Sequence, residues 1–252
     1  MKKIILFILF YISLTTALPK QERIVGGTVT SINQYPYSVA VLYVRSNGPF
    51  VQGCGGTIIN NRSVLSVAHC IGACITCIRL RVGSTYASSG GVVHHVAQII
   101  RHPQFNSATM ANDIGLVRVL FPFQFGATVQ PAAIAGPNAV IPYNTVVTAI
   151  GWGWKDHAGV NPSEELRHVQ IPTVPHATCQ NSYTFMTLTA GHMCAGPMEG
   201  GRGSCQGDSG SPLIYNNVVI ACTSFGNGCA RPNYPALYSR VAYFSNWIVD
   251  HA

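Results

Sequence analysis

The stretch GDSGSP, residues 207–212, lies in a longer glycine-rich segment, GGRGSCQGDSGSP, at residues 200–212. Glycines on both sides of Ser209 let the backbone turn sharply and let its amides approach a bound molecule. A serine hydroxyl is a weak nucleophile alone, so it needs a base, and the base needs an orienting group. The stretch therefore predicts a reactive serine in a tight turn, served by a histidine and a carboxylate from elsewhere in the chain.

Two segments supply the candidates for these partners. His69, in SVAHC, ends an apolar run beside a cysteine that can hold it in place. Asp113, in NDIGLVRVL, opens another apolar run and is the first carboxylate after Glu22. The remaining histidines lack this setting and are predicted to be solvated or structural: His94, His95, His102, His157, His168, His176, His192 and His251.

Composition favours strands and turns over long surface helices. Charged residues are 9% of the 252 and apolar residues 48%. The apolar runs are mostly short, rich in Val and Ile, and bounded by Gly, Pro, Asn or Ser, which predicts an all-β sandwich or barrel. Only the tail, VAYFSNWIVDHA, has helical spacing, with a buried stripe predicted at Val241, Phe244, Trp247 and Ile248.

The first 17 residues, MKKIILFILFYISLTTA, have the form of a secretion signal. Two lysines precede an apolar core, and small residues precede a predicted cut after Ala17. A membrane anchor is the alternative, but a span needs about 20 apolar residues and this run is shorter. We therefore expect an extracellular protein, the gut lumen being one such setting.

Secretion makes the nine cysteines readable as a disulfide framework with at least one thiol left over. Cys74 and Cys77, in CITC, have the spacing of a metal or redox site. No second such pair accompanies them, so zinc is not predicted, and a local disulfide or two free thiols both remain open.

The net charge does not indicate nucleic-acid binding. Residues 24–252 hold ten Arg and one Lys against seven Asp and Glu, or +4 rather than the +7 of the whole chain. These cations are scattered, and no basic helix or nucleic-acid motif accompanies them.

The motifs AHC, NDIGL and GDSGSP, in that order and preceded by IVGG, resemble the chymotrypsin-like serine endopeptidases, the trypsin and chymotrypsin family, over residues 24–252. The segment GGRGSCQGDSG resembles both insect digestive trypsins and insect chymotrypsins. The resemblance implies two packed antiparallel six-stranded β-barrels with a C-terminal helix, the active site lying between the barrels. It implies no cofactor, and no metal is predicted, since the loop after RVGS lacks the carboxylates of a calcium site.

The resemblance also implies roles for residues. Ser209 would be the nucleophile, His69 the base and Asp113 its orienting group, as in the family's mechanism. The amides of Gly207 and Ser209 would form the oxyanion hole, and Ser224 would border Asp113 and pair with substrate.

Activation and disulfides follow from the same resemblance. Residues 18–23, LPKQER, would be an activation peptide, and cleavage after Arg23 would free the Ile24 amine to pair with Asp208. A buried carboxylate needs such a partner. The family's disulfide pairs would be Cys54–Cys70, Cys179–Cys194 and Cys205–Cys229. Cys222 would remain a buried free thiol.

The specificity pocket departs from that of trypsins. Counting back from Ser209 puts Gly203 at the pocket floor, where trypsins have an aspartate. The other positions implied are Ser204, Gly226 and Ala236, and none is acidic. A guanidinium buried there without a partner is costly, so a large apolar residue is predicted before the scissile bond. Ser211 and Phe225 replace a common glycine and a common tryptophan.

The predicted function is a secreted digestive serine endopeptidase made as an inactive precursor. A homologue without catalysis is disfavoured because all three catalytic positions are filled. Trypsin-like specificity despite the uncharged floor and a non-digestive regulatory protease remain alternatives. We expect a monomer whose partners are protein or peptide substrates, an activating trypsin-like protease and protein inhibitors, with no nucleic acid or membrane.

Overall fold

The computed structural model describes residues 25–44, 48–156 and 162–252, and the predicted two-barrel fold is confirmed. The predicted signal and activation segments, with Arg23 and Ile24, lie outside the described residues, as does His157. The strands are β1 Thr28–Val29, β2 Ser38–Val44, β3 Phe50–Ile58, β4 Ser63–Ser66, β5 Ile78–Val82, β6 Val92–Arg101, β7 Gly115–Val119, β8 Ala133–Ile134, β9 Val146–Gly151, β10 Arg167–Val174, β11 His192–Ala195, β12 Pro212–Tyr215, β13 Val218–Phe225 and β14 Ala236–Arg240.

The first barrel closes in the order β2-β3-β4-β7-β6-β5, with every neighbouring pair antiparallel. Strand β5, IRLRV, shows why these segments become strands. Ile78, Leu80 and Val82 point into the barrel and are at most 2% exposed, while Arg79 and Arg81 alternate outward. This period of two fits a sheet with one face in the core.

The second barrel contains the six strands β9 to β14. Pairing of β9 with β10 closes the antiparallel order β10-β11-β14-β13-β12-β9. Two short strands attach outside this ring, β1 to β10 and, in parallel, β8 to β13. Strand β13, VVIACTSF, is buried along most of its length because it lies between β12, β14 and the C-terminal helix.

Two α-helices are present in the described residues, where the sequence predicted one. Helix α2, Val241–His251, buries Val241, Phe244 and Ile248 and half-buries Trp247, the predicted stripe. Helix α1, His176–Ser182, was not predicted. Its seven residues give too short a window for a helical period, and the disulfide from Cys179 to Cys194 fastens it to β11.

The two barrels meet along β3 and β12, and this seam holds the candidate site. Gly55 on β3 has no room for a side chain, because an added Cβ would overlap Ser211. Its amide donates a hydrogen bond of 2.7 Å to the carbonyl oxygen of Ser209, from the second barrel. No helix in the described ranges is both long and apolar enough to cross a membrane.

Candidate active site

His69 and Asp113 come from the first barrel and are bonded twice. The His69 Nδ1 atom lies 2.7 Å from Asp113 Oδ2, and the His69 backbone amide donates to Asp113 Oδ1 at 2.9 Å. Asp113 is 1% exposed, and the His69 side chain is 28% exposed. With Nδ1–H donating to the carboxylate, a neutral His69 presents an unprotonated Nε2 to the cleft, as a general base requires.

The second barrel completes the surroundings of Asp113. Ser224 Oγ, on β13, donates to Asp113 Oδ2 at 2.6 Å. Ser239 Oγ, on β14, donates to the Asp113 backbone carbonyl. The carboxylate thus accepts three hydrogen bonds, two from His69 and one from across the seam, which hold it in place.

Ser209 lies beside the His69 segment. The turn that carries it depends on glycine at Gly207 and Gly210, whose φ angles are +89° and +81°. The Ser209 carbonyl oxygen accepts from Gly55 and lies 3.6 Å from the Cys70 sulfur, next to His69 in the chain. Within the described residues no hydrogen bond joins Ser209 Oγ to His69. Such bonds are often long in substrate-free active sites and tighten when substrate binds.

Two backbone amides near Ser209 are available to a ligand. In the described ranges, neither Gly207 N nor Ser209 N donates to another protein group, whereas Asp208 N and Gly210 N, which alternate with them, donate to Cys205 and Thr223. Gln52 Nε2 holds the Gly207 carbonyl at 2.8 Å. Two free donors two residues apart in a fixed turn can bind an oxyanion.

The four positions predicted to form the pocket carry no charged side chain. Ser204 is 6% exposed and its hydroxyl lies 2.8 Å from that of Tyr238, so each hydroxyl has a partner. A Cβ at Gly203 would meet Ala230 Cβ at 3.6 Å, an ordinary contact. Gly226 begins the chain beyond β13, and Ala236 begins β14.

Asp208 is a second buried carboxylate, also 1% exposed. Its oxygens accept from the amides of Gly153 at 2.7 Å and Cys205 at 2.9 Å. Gly151 and Gly153 make room for it, since a Cβ at either would overlap the carboxylate. Burial raises the pKa of Asp208 to about 7, against the opposing effect of the two amides.

The chain just after Ile24 lies near Asp208. Val25 is 4% exposed, packs with Cys205 and Cys229, and accepts a hydrogen bond of 3.0 Å from Gly203 N. Among the described residues no ion pair reaches Asp208, so this carboxylate has only dipolar partners there.

Four disulfides are present. Cys54–Cys70 fixes the loop of His69, and Cys205–Cys229 frames the pocket segment. These pairs and Cys179–Cys194 are the ones that the resemblance implied, and Cys74–Cys77 resolves the choice that the sequence left open in favour of a local disulfide. Cys222 is free and fully buried, and its burial raises the pKa of the thiol. Cys54, His69 and Cys70 lie within metal-binding distance of one another, but the two sulfurs are bonded together.

His192 makes a contact between the barrels that sequence reasoning did not single out. It is 4% exposed on β11, and its Nδ1 accepts from the Thr189 amide at 2.9 Å. Its Nε2 therefore carries the proton and donates to the Met110 carbonyl at 3.0 Å. Met110 and Asn112 have positive φ in the tight turn that leads to Asp113, so His192 ties the second barrel to this turn. A polar residue in a buried strand was the available signal.

Comparison with known proteins agrees with this geometry. The family model described as Trypsin matches residues 24–248. Trypsin CFT-1 of Choristoneura fumiferana is 47% identical over 94% of both chains. Trypsin, alkaline B, of Manduca sexta is 45% identical over 92% of this chain and 91% of its own, and trypsin eta of Drosophila melanogaster is 36% identical over 97% and 94%. The chain belongs to the trypsin family and is a serine endopeptidase.

Proposed function

We propose that this chain is a secreted digestive endopeptidase, made as an inactive precursor, that cleaves after large apolar residues. The specificity is inferred from the absence of a charged side chain at Gly203 and Ser204, the positions that the resemblance places in the substrate pocket. Secretion rests on the signal-like residues 1–17, and digestion on the similarity to insect trypsins. We expect a monomer that meets protein substrates, an activating protease and protein inhibitors.

The proposed chemistry is acyl transfer through Ser209. The hydroxyl attacks the peptide carbonyl while His69 Nε2 takes its proton and returns it to the leaving amine. Asp113 holds the His69 tautomer and stabilises the imidazolium through the 2.7 Å contact. The free amides of Gly207 and Ser209 bind the oxyanion, each worth about 3 kcal/mol in related sites. Water then releases the acyl group by the same steps in reverse order.

Activation is proposed to complete the surroundings of Asp208. Cleavage after Arg23 frees an α-amine on Ile24, next to Val25, which is bonded to Gly203. A buried carboxylate that has only amide donors is stabilised strongly by a cation. Pairing with the amine would hold the 205–209 segment in the geometry that exposes the Gly207 and Ser209 amides.

Apolar specificity follows from the lack of acceptor side chains that could stabilise a cation at the pocket positions. An Arg or Lys side chain would enter a site where Gly203, Gly226 and Ala236 offer no acceptor side chain, and Ser204 is already paired with Tyr238. An apolar side chain gains from leaving water and demands no partner. Peptides with Phe, Tyr, Leu or Met before the scissile bond should therefore be preferred.

The second candidate is preference for Arg or Lys. It is favoured by the relatives, since the three compared above are all named trypsins. The two candidates differ in one quantity, the ratio of kcat/KM for peptides that differ only in that residue.

The test is to cleave the precursor after Arg23 and profile it on matched peptides. The value of kcat/KM for peptides with Phe or Leu before the scissile bond should exceed that for the Arg peptide by at least about tenfold, or 1.4 kcal/mol. Gly203→Asp should restore Arg cleavage, and Gly203→Asn is its uncharged control. Both variants add a Cβ at the same φ of +154°, so they share any backbone cost. Preference for Arg by the unaltered enzyme would overturn the proposed specificity, while Ser209→Ala reports any contaminating protease.

A further inference from the structure

The disulfide Cys74–Cys77 differs from the other three in access. Cys74 is exposed and Cys77 half-buried. The six cysteines of the other disulfides are at most 7% exposed. Exchange requires a thiolate to approach one sulfur directly, so a dissolved thiol reaches this bond far more easily than the others.

The groups around these sulfurs favour the charged products of exchange. Thr76 Oγ1 lies 3.5 Å from Cys74 Sγ, and because that sulfur has no hydrogen the hydroxyl is the donor. Arg79 Nη1 donates to the carbonyls of Thr76 at 3.2 Å and Ile78 at 2.8 Å, the residues on either side of Cys77. A guanidinium held there favours a thiolate at Cys77.

The fold does not depend on this bond. Cys74 and Cys77 are three residues apart, against 15 to 24 for the other pairs, and short closed loops stabilise a fold least. Ile71 and Ile78 flank the segment and are 0% and 2% exposed, so both ends are anchored in the first barrel. The bond can open while the barrel stays closed.

We propose that Cys74–Cys77 is a thiol–disulfide exchange site for small thiols of the glutathione class, chemically separate from the disulfides that frame the active site. A thiolate attacks the exposed Cys74 Sγ, forming a mixed disulfide as the Cys74–Cys77 bond breaks. Cys77 leaves as a thiolate, between the two residues whose carbonyls Arg79 binds. A second thiolate attacks the small-molecule sulfur of the mixed disulfide and releases the Cys74 thiolate. Two small thiols are oxidised to one disulfide, the protein cystine is reduced to two thiols, and their protons come from solvent.

Graded glutathione treatment of the native chain at about pH 8, followed by alkylation and peptide mapping, tests the proposal. Cys74 and Cys77 should be modified while the six other bonded cysteines remain protected and peptidase activity persists. Equal or earlier modification of any other pair overturns it, and so does protection of Cys74 and Cys77 up to the concentration that unfolds the chain.

Two sets of variants make the test specific. Arg79→Gln should slow the first exchange step at least about threefold, because the leaving thiolate loses its cation, while Arg62→Gln, an exposed arginine of the same barrel, should not. The pair Cys74→Ser and Cys77→Ser should give a folded, active chain that takes up no glutathione. An unchanged rate in Arg79→Gln would overturn the assignment of Cys77 as the leaving group. Glutathione uptake and exchange rate do not depend on Ser209 or on the substrate pocket, so their outcome is independent of the proposed specificity.

Discussion

The two buried aspartates near Ser209 lie in contrasting surroundings. Asp113 accepts hydrogen bonds from His69 twice and from Ser224, so its set of donors is complete. Asp208 accepts from only two backbone amides in the described chain, and its pKa is raised to about 7 by burial. The contrast indicates that the base side of the site is built by the fold alone. We propose that the serine side gains its cation from the Ile24 amine after cleavage.

The largest effect on activity should come from changing Asp113, whose set of hydrogen-bond donors is complete. In Asp113→Asn, the amide cannot accept from His69 through both of its heteroatoms, so the imidazole loses its tautomer. We expect kcat to fall about 10⁴-fold, a magnitude taken from the same substitution in a related enzyme of this family. Steady-state kinetics on an apolar peptide measures it. Asp250→Asn, on the exposed face of α2, is the control, and a loss under tenfold in Asp113→Asn would refute its role.

The next largest effect should come from changing Asp208, whose set of partners is incomplete in the described chain. Asp208→Asn in the cleaved chain removes the proposed partner of the Ile24 amine and sets an amide N–H against Gly153 N or Cys205 N. We expect about a hundredfold loss of active sites, equivalent to about 3 kcal/mol for a broken buried pair. Active-site titration measures it, with the exposed Glu199→Gln as control. Full titration of the Asn variant would show that no cation is needed there.

The pH dependence of this pair has a definite sign. Without a cation, the raised pKa means that the folded chain keeps a proton that the unfolded chain releases, so stability falls as pH rises from about 4 to about 7. If the Ile24 amine pairs with Asp208, this loss of stability on ionising the carboxyl disappears. Pairing would raise the pKa of the amine, ordinarily near 8, so its contribution to stability would be full below 8 and lost as pH rises through the folded value.

His192, which ties the second barrel to the turn before Asp113, should have a smaller effect on activity than either aspartate. His192→Ala frees the Met110 carbonyl and loosens the turn that carries Asp113. We expect kcat to fall about tenfold with KM nearly unchanged, since substrate contacts stay intact. His192→Gln, which can still donate and accept, should recover most of the loss. The exposed neighbour His176→Ala is the control, and an unchanged kcat in His192→Ala would contradict a positioning role.

Acid should reveal the burial of His192. Burial lowers the pKa of His192 and the nearby His176 acts in the same direction, while the hydrogen bond to the Met110 carbonyl and the charge of Asp113 oppose the shift. Below about pH 6.5 the unfolded chain binds a proton at this histidine that the folded chain does not bind. Stability therefore falls as pH falls through that value. His192→Gln should show a shallower loss of stability between about pH 6.5 and pH 5.

The smallest effect concerns Ser211, three residues after Asp208 in the chain. Its hydroxyl is buried and has no hydrogen-bond partner among the residues that the structure describes. Ser211→Ala should raise the free energy of unfolding by about 1 kcal/mol, because an unpaired buried hydroxyl is costly. Ser239→Ala is the matched contrast, since that hydroxyl donates to Asp113 and its loss should destabilise. Denaturant unfolding compares them, and destabilisation by Ser211→Ala would mean that its hydroxyl has a partner.

Sequence reasoning reached an all-β sandwich or barrel because short apolar runs such as β5 are bounded by turn residues, and the resemblance supplied the arrangement in two barrels. It reached His69, Asp113 and Ser209 as candidates because each stands in a distinctive local motif. Helix α1 was missed, since its seven residues show no period and a disulfide holds it. The bond from His192 to Met110 joins residues 82 apart, and no local pattern encodes such a contact.

The most direct test of the contrast between Asp113 and Asp208 is the activity of one preparation before and after cleavage at Arg23. Hydrolysis of an apolar peptide should rise at least about a hundredfold when Ile24 becomes the N-terminus, because only then does Asp208 gain its cation. Arg23→Gln, treated with the same protease, should stay silent while its fold is unchanged. Full activity in the uncleaved chain would contradict the account, since it would show that the serine side is complete without the amine.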